Sequence, residues 1–144
     1  MSSTTALALI VGAGGAALVG LLAHLVGYDR DRPFYAAVLT VVGSVYVLFA
    51  VMAGGGPGLM PELAFFGTFA ALAAIGFRTT LWIVAAGLAL HGAFDFVRHS
   101  FLAAPGAPTW WPAFCGAYDV VAALGLGALL VIQHERKVPR SNLK

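Results

Sequence analysis

Ionisable side chains that could bind a metal are concentrated in two short stretches of an otherwise apolar sequence. The stretch "HGAFDFVRH" places His91, Asp95 and His99 four residues apart, and the later stretch "WWPAFCGAYD" contains Cys115 and Asp119, also four apart. Residues at this spacing share one face of a helix. Imidazole, carboxylate and thiolate groups are ligands of zinc, iron, manganese and copper. The pattern therefore predicts a polar site with four candidate metal ligands, His91, Asp95, His99 and Asp119.

Two features limit the metal chemistry that this set can support. About 12 Å of helix rise separates His91 from His99, so an unbent helix cannot readily present both rings to one ion. Either one histidine is a supporting group or two ions are bound. Cys115 is the single cysteine, which excludes an internal disulfide. It is either a small buried apolar side chain or a thiolate ligand that favours zinc or copper.

Two carboxylates are candidates for catalysis. Glu62 and Asp119 could each act as a general base toward a metal-bound water. Glu62 follows a proline, and it could alternatively do no more than stabilise the start of a helix. Asp119 could be protonated rather than bound to a metal.

Three further polar residues could support the site. Tyr46 and Tyr118 are candidate hydrogen-bonding groups for the carboxylates. Arg98 could snorkel outward, hold an anionic headgroup, or neutralise Asp95 together with a histidine. In the last case the cluster would only fix the register of the helices.

The composition of the chain indicates a membrane protein. Of its 144 residues, 60% are hydrophobic and 10% are charged, and the mean hydropathy is +0.91. A water-soluble protein of this size does not need so apolar a sequence. Four of the eight Lys and Arg residues lie in the last nine positions. This is a topology signal rather than a basic patch, so we expect no nucleic-acid partner.

Five apolar stretches are long enough to cross a hydrocarbon core of about 30 Å. They are expected to be helices, because a helix satisfies its own backbone polar groups in lipid. The predicted fold class is therefore all-α and integral to the membrane, with one domain over residues 1–144. The predicted transmembrane helices cover roughly 5–27, 34–53, 61–77, 80–102 and 111–133.

The basic residues predict the orientation of these helices. Five helices leave the two termini on opposite sides, and seven of the eight basic residues fall in the first loop, the third loop and the C-terminal tail. The positive-inside rule makes that side cytoplasmic and places the N-terminus outside. Asp29 and His24 then lie near the cytoplasmic boundary, where the sequence predicts no special role for them.

The same topology brings the two polar stretches to one depth. Cys115 and Asp119 lie about 6 and 12 Å below the outer end of helix five, and Asp95 lies in the outer half of helix four. A charged group at the centre of a lipid-facing helix costs about 2.5–3.5 kcal/mol. These side chains should therefore face inward, in a polar pocket enclosed by helices three, four and five.

The motifs "LHGAFDFVRH" and "WWPAFCGAYD" resemble those of a family of small bacterial multi-span membrane proteins of unknown function. That family carries a histidine, an aspartate four residues on, a further histidine, and then a cysteine and an aspartate in the next span. The resemblance covers about the second half of the chain, and this sequence has Arg98-His99 where other members have two adjacent histidines. It implies no activity, but it implies that six residues belong together: Glu62, His91, Asp95, His99, Cys115 and Asp119.

Three functions follow from these patterns. The leading expectation is a metal-dependent hydrolase or oxidoreductase of the bacterial cytoplasmic (inner) membrane that acts on a lipid or another hydrophobic substrate. The second is a proton- or ion-binding element of a transporter or channel, although helix four is apolar below His91. The third is an accessory subunit of a membrane complex. Membrane lipids are the expected partners, and a homo-oligomer or a larger membrane complex is the alternative for protein partners.

Overall fold

Across residues 2–30, 32–98, 101–102 and 104–137, the computed structural model shows five α-helices and no strand. Short 3-10 helices at Tyr28–Arg30 and Gly56–Gly58 precede the second and third α-helices. The α-helices are α1 (Ser3–Val26), α2 (Pro33–Met52), α3 (Leu59–Arg78), α4 (Leu81–Arg98) and α5 (Trp111–Lys137).

All five helices are long and apolar enough to cross a membrane. The shortest has 18 residues, which at 1.5 Å per residue corresponds to about 27 Å of helix. The prediction of an all-helical chain with five apolar helices is therefore confirmed for the residues that the structure describes.

The helix boundaries depend on local chemistry and differ in part from the prediction. The Ser2 hydroxyl accepts a hydrogen bond from the Thr5 amide at the start of α1, and Gly27, at φ 89°, ends that helix, as glycine commonly does. Helix α4 ends at Arg98, whereas the sequence predicted a span to residue 102. After α4 the chain folds back, and Gly106 adopts φ 76° in close contact with the Phe49 carbonyl.

Helix α4 lies at the centre of the bundle. It packs against α3 and α5 and also contacts α2, and α1 packs against the outer side of α5. The start of α2 is tied to the end of α3, because Arg32 Nη2 donates a hydrogen bond of 2.8 Å to the Thr79 carbonyl. We call the end of the bundle where α1, α3 and α5 finish its carboxyl-terminal end. The opposite end, where α1, α3 and α5 begin, is its amino-terminal end.

Two glycines allow α4 and α5 to approach closely. A Cβ atom placed on Gly92 would lie 3.0 Å from the Gly116 carbonyl oxygen, and one placed on Gly116 would lie 3.1 Å from the Gly92 carbonyl oxygen. Small residues commonly permit such contacts between membrane helices. This contact brings the polar residues of the two helices into register.

The apolar core occupies the carboxyl-terminal half of the bundle. Its largest fully buried side chains come from α2, α4 and α5, and each is at most 2% exposed: Leu39, Val84, Leu88 and Leu126. These side chains lie between the polar residues of α4 and the carboxyl-terminal end. The polar cluster is therefore confined to the amino-terminal half of the bundle.

Candidate metal centre

Four side chains from α4 and α5 converge in the amino-terminal half of the bundle. His91 and Asp95 come from α4, and Cys115 and Asp119 come from α5. Each offers one ligand atom, and the four atoms lie within 4.8 Å of one another. All four residues are buried. This group, which we call the HDCD cluster, could hold a metal ion.

His91 is the central member of the HDCD cluster. Its Nδ1 atom lies 2.6 Å from Oδ2 of Asp119 and 3.6 Å from Oδ2 of Asp95. The Phe69 ring packs against the imidazole in an edge-on arrangement with 4.6 Å between ring centroids, which holds the ring in place. Nδ1 and the Asp119 carboxylate share a proton in a hydrogen bond. An ion bound between them would take the place of that proton, so metal binding should release protons.

The two carboxylates are buried with few polar contacts. Neither oxygen of Asp95 accepts a hydrogen bond of regular geometry from a described residue, although the Tyr46 hydroxyl and the Cys115 thiol lie near its carboxylate. Oδ1 of Asp119 also has no hydrogen-bond partner among the described residues. Burying a carboxylate costs several kcal/mol unless it is paired or bound to a metal. A cation within the HDCD cluster would satisfy these oxygens.

The donor set and the spacing fit a transition metal better than calcium or magnesium. One nitrogen, one sulfur and two carboxylate oxygens match the ligands of zinc and its neighbours, whereas calcium and magnesium bind oxygen. Metal-ligand distances of about 2.0–2.3 Å place tetrahedral donor atoms about 3.3–3.8 Å apart. To bind one ion, the widest pair of the cluster would have to close by about 1 Å, and Nδ1 of His91 and Oδ2 of Asp119, which are 2.6 Å apart, would have to separate by about 0.7 Å.

Arg98 and Glu62 form a second polar unit beside the HDCD cluster. Both guanidinium Nη atoms of Arg98 donate to the two carboxylate oxygens of Glu62, with 3.1 Å between Nη1 and Oε2. The guanidinium also lies over the Tyr46 ring, 3.8 Å from its centroid. Arg98 is only 1% exposed, so it does not snorkel outward as one interpretation of the sequence expected. Glu62 is not a member of the cluster, because its carboxylate is engaged by Arg98.

The remaining predicted residues occupy different positions. Tyr46 is buried, and its hydroxyl has no hydrogen-bond partner among the described residues. Tyr118 faces α1 and lines a separate cavity between α1, α2 and α5. His99, a predicted metal ligand, lies outside the described residues. Cys115, which the sequence gave only as a supporting residue, is one of the four possible metal ligands. Its Sγ lies 3.8 Å from Oδ2 of Asp119.

A cavity lies at the amino-terminal end of the bundle beside the HDCD cluster. Its volume is about 590 Å³, and Asp95 is the only charged residue in its lining among the residues that the structure describes. The other walls are formed by α1, α4, the start of α5 and the segment after α4, and are mainly apolar: Leu9, Phe96, Leu102, Ala104, Ala107, Pro108, Pro112 and Ala113, with Thr5 and Thr109. Asp95 forms the inner wall of this cavity but has no exposed surface, so an apolar molecule could come close to the cluster without touching its donor atoms.

Comparisons of the chain with protein-family models, with curated proteins and with solved structures found no match. The resemblance of the α4 and α5 motifs to a bacterial membrane family therefore stays a prediction. Five of the six residues that it groups are described by the structure. Four of them form the HDCD cluster. The fifth, Glu62, pairs with Arg98, which lies next to that cluster.

Proposed function

We propose that the chain is a multi-pass protein of the bacterial cytoplasmic membrane with its N-terminus outside. The five apolar helices support insertion. The positive-inside rule supports the orientation, because Arg32, Arg78 and Arg136 lie at the carboxyl-terminal end of the bundle. In this orientation the HDCD cluster lies in the outer half of the bilayer, and membrane lipids surround the bundle.

Within that framework we propose a metal-dependent enzyme that acts on a lipid or another hydrophobic molecule. The observation that carries the proposal is the convergence of four buried donor atoms within 4.8 Å, beside a mainly apolar cavity that reaches Asp95. Intramembrane ionisable groups mark functional sites by default. A purely structural lock would need neither the cavity nor carboxylate oxygens without partners.

Zinc is the ion that the donor set favours. His91, Asp95, Cys115 and Asp119 supply the nitrogen, oxygen and sulfur ligands that zinc accepts in tetrahedral sites. Iron, manganese and copper are the alternatives that the same donors could bind, and the thiolate of Cys115 favours copper over manganese. When bound, such an ion would act as a Lewis acid; a water could join it only if one of the four donors leaves or the shell expands to five ligands, and that water would then be more acidic.

The residues around the ion would then have distinct tasks. Asp95 lies at the inner wall of the cavity and has no exposed surface, so it would act as a ligand of the ion and would accept a proton from a water only after the site opens. Asp119 and Phe69 would orient the His91 ring. Glu62 would hold Arg98 rather than act as the general base that the sequence suggested, because its two oxygens already accept from the guanidinium.

The apolar core argues for this function over a proton or ion relay. A relay would need polar groups that continue toward the carboxyl-terminal end. The space between the HDCD cluster and the carboxyl-terminal end is instead occupied by fully buried apolar side chains: Leu39, Val84 and Leu88. The buried core therefore supports a site that has no polar path to the carboxyl-terminal end and that is approached from the amino-terminal end.

Lipid turnover in proteoliposomes tests the proposal. The purified protein would be reconstituted in bacterial membrane lipid extract, with zinc or with a chelator, and the lipids would be analysed by mass spectrometry. We expect a pair of metal-dependent products whose masses together equal one lipid plus one water, and we expect their loss in Asp95→Asn. Identical lipid profiles for the wild-type protein, the Asp95→Asn variant and the chelated sample would contradict an activity on these lipids.

A further inference from the structure

A second polar site lies at the carboxyl-terminal end of the bundle, far from the HDCD cluster. Its charged residue is Asp29, in the 3-10 helix Tyr28–Arg30 between α1 and α2. The sequence placed Asp29 in a cytoplasmic segment and predicted no special role for it. The structure instead buries the Asp29 side chain to an exposure of 3%.

Asp29 has one oxygen paired and one without a partner. Oδ2 lies 2.6 Å from Nδ1 of His24, whose side chain is 60% exposed. Oδ1 is buried and has no hydrogen-bond partner among the residues that the structure describes. A buried carboxylate oxygen in this state favours a further hydrogen-bond donor or a positive charge.

Asp29 lines a cavity of about 400 Å³ between α1, α2 and α5. Three aromatic residues share that lining, Phe34, Tyr35 and Tyr118, and most of the other walls are aliphatic. On α1 the lining runs from Ala16 to His24, a helix length of about 12 Å. The cavity is thus elongated and apolar, with its acidic group near one end.

We propose that this cavity binds an amphiphile with a primary ammonium head and an alkyl chain. The ammonium group would donate to Oδ1 of Asp29, and the Tyr35 ring, which also lines the cavity, provides an aromatic surface that attracts cations. The alkyl chain would extend between α1 and α5. A small amine and the headgroup of an aminophospholipid share this chemistry, so the experiment below distinguishes them.

An organic cation fits this site better than a metal ion. Among the described residues, the HDCD cluster is the one group of three or more His, Cys, Asp or Glu side chains close enough to share an ion. Asp29 and His24 supply only two such groups. A single ammonium ion needs one carboxylate and a few hydrogen-bond acceptors, whereas a transition metal needs three or four ligands.

Native mass spectrometry of the detergent-purified full chain tests the proposal. The four probes would be hexylamine, hexanol, phosphatidylethanolamine and phosphatidylglycerol. We expect at least one amine probe to bind at least tenfold more tightly than its matched control without an amine, as expected for a hydrogen bond to a charged group. Preference for phosphatidylethanolamine alone would assign the site to a lipid headgroup, and preference for hexylamine alone would assign it to a small amine.

Two variants of the pair should change amine binding in opposite directions. Asp29→Asn removes the charge and should weaken binding at least tenfold. His24→Gln removes the imidazole that competes for the Asp29 carboxylate and should strengthen binding severalfold. If the contact between His24 and Asp29 only stabilised the fold, the two variants would change amine binding in the same direction, because each would remove that one contact.

Tyr35 provides a further matched pair, because it lines the same cavity as Asp29. Tyr35→Phe keeps the aromatic surface and should bind the amine probes as the wild type does, whereas Tyr35→Leu should bind them more weakly. Size-exclusion profiles would verify that every variant remains folded. Equal affinity for amine and control probes in the wild type, or unchanged amine binding in folded Asp29→Asn, would overturn the proposal.

Discussion

Asp95 is the residue on which the proposed metal centre depends most directly. It is fully buried, and its two oxygens have no hydrogen-bond partner among the described residues. Its nearest charged neighbour in the HDCD cluster is His91, 3.6 Å away between Nδ1 and Oδ2. A buried carboxylate in this state is costly unless a cation compensates it. The same side chain also lines the cavity that opens toward the amino-terminal end.

Replacement of Cys115 tests whether sulfur is a ligand. In protein loaded with cobalt(II) in place of the native ion, a thiolate ligand gives a sulfur-to-cobalt charge-transfer absorption. We expect this absorption in the wild type and its loss in Cys115→Ser, with Tyr118→Phe as a control on the same helix. A spectrum that Cys115→Ser leaves unchanged would show that Cys115 is a buried apolar side chain instead.

Replacement of Glu62 separates stability from metal binding. Glu62→Gln leaves Arg98 buried beside a neutral partner, and the loss of a buried ion pair costs about 3–5 kcal/mol. We expect a clearly lower apparent melting temperature with unchanged metal content. The double variant Glu62→Leu/Arg98→Leu should recover most of the stability, because an apolar pair removes both charges. Loss of the metal in folded Glu62→Gln would place Glu62 among the ligands.

The residue spacing predicted part of this site. The intervals between His91 and Asp95 and between Cys115 and Asp119 correctly placed each pair on one helix face. The pairing of Arg98 with Glu62 could not be predicted, because it joins residues 36 positions apart and depends on how α3 packs against α4. The burial of Asp29 was missed for a similar reason, since it results from the packing of α1, α2 and α5.

At the scale of the helices, the contact between α4 and α5 assembles the HDCD cluster. Each helix contributes two of the four donors. Gly92 lies one residue after His91, and its Cα faces the backbone of Gly116, one residue after Cys115. The absence of side chains at both positions allows donors from two helices to meet within 4.8 Å.

A larger residue at Gly92 should therefore separate the donors. A Cβ at this position would lie 3.2 Å from Cβ of Asp119, and valine adds two more carbons. We expect Gly92→Val to lower the metal content by more than half, with a loss of stability of about 1–3 kcal/mol from overpacking. Gly125→Val on α5 is the control, because a Cβ there meets no atom within 4 Å. Equal metal content in the two variants would argue against this role for the helix contact.

At the scale of the whole molecule, hydropathy predicted the fold more reliably than it predicted the helix ends. The five apolar stretches became five helices because a long apolar run has few alternatives to a helix. The fourth helix was predicted to continue to residue 102, but residues 101 and 102 are not helical. Hydropathy did not signal this, because Phe101 and Leu102 are themselves apolar.

The proposed orientation gives a prediction for the intact protein. A fluorescent protein that folds only in the cytoplasm should be fluorescent when fused after Lys144, and a periplasm-dependent phosphatase should be active when fused before residue 2. The reciprocal fusions serve as controls and should be inactive. The opposite pattern would place the HDCD cluster in the cytoplasmic half of the membrane and contradict the proposed orientation.

The presence of a bound metal ion is the central claim, and elemental analysis tests it most directly. The wild type, Asp95→Asn and Tyr118→Phe would be purified in detergent with no metal added and analysed by mass spectrometry of the elements. We expect about one zinc, iron, manganese or copper ion per chain in the wild type and in Tyr118→Phe, and a large loss in Asp95→Asn. No such metal in the wild type, or the same content in Asp95→Asn, would contradict a metal centre built on His91, Asp95, Cys115 and Asp119.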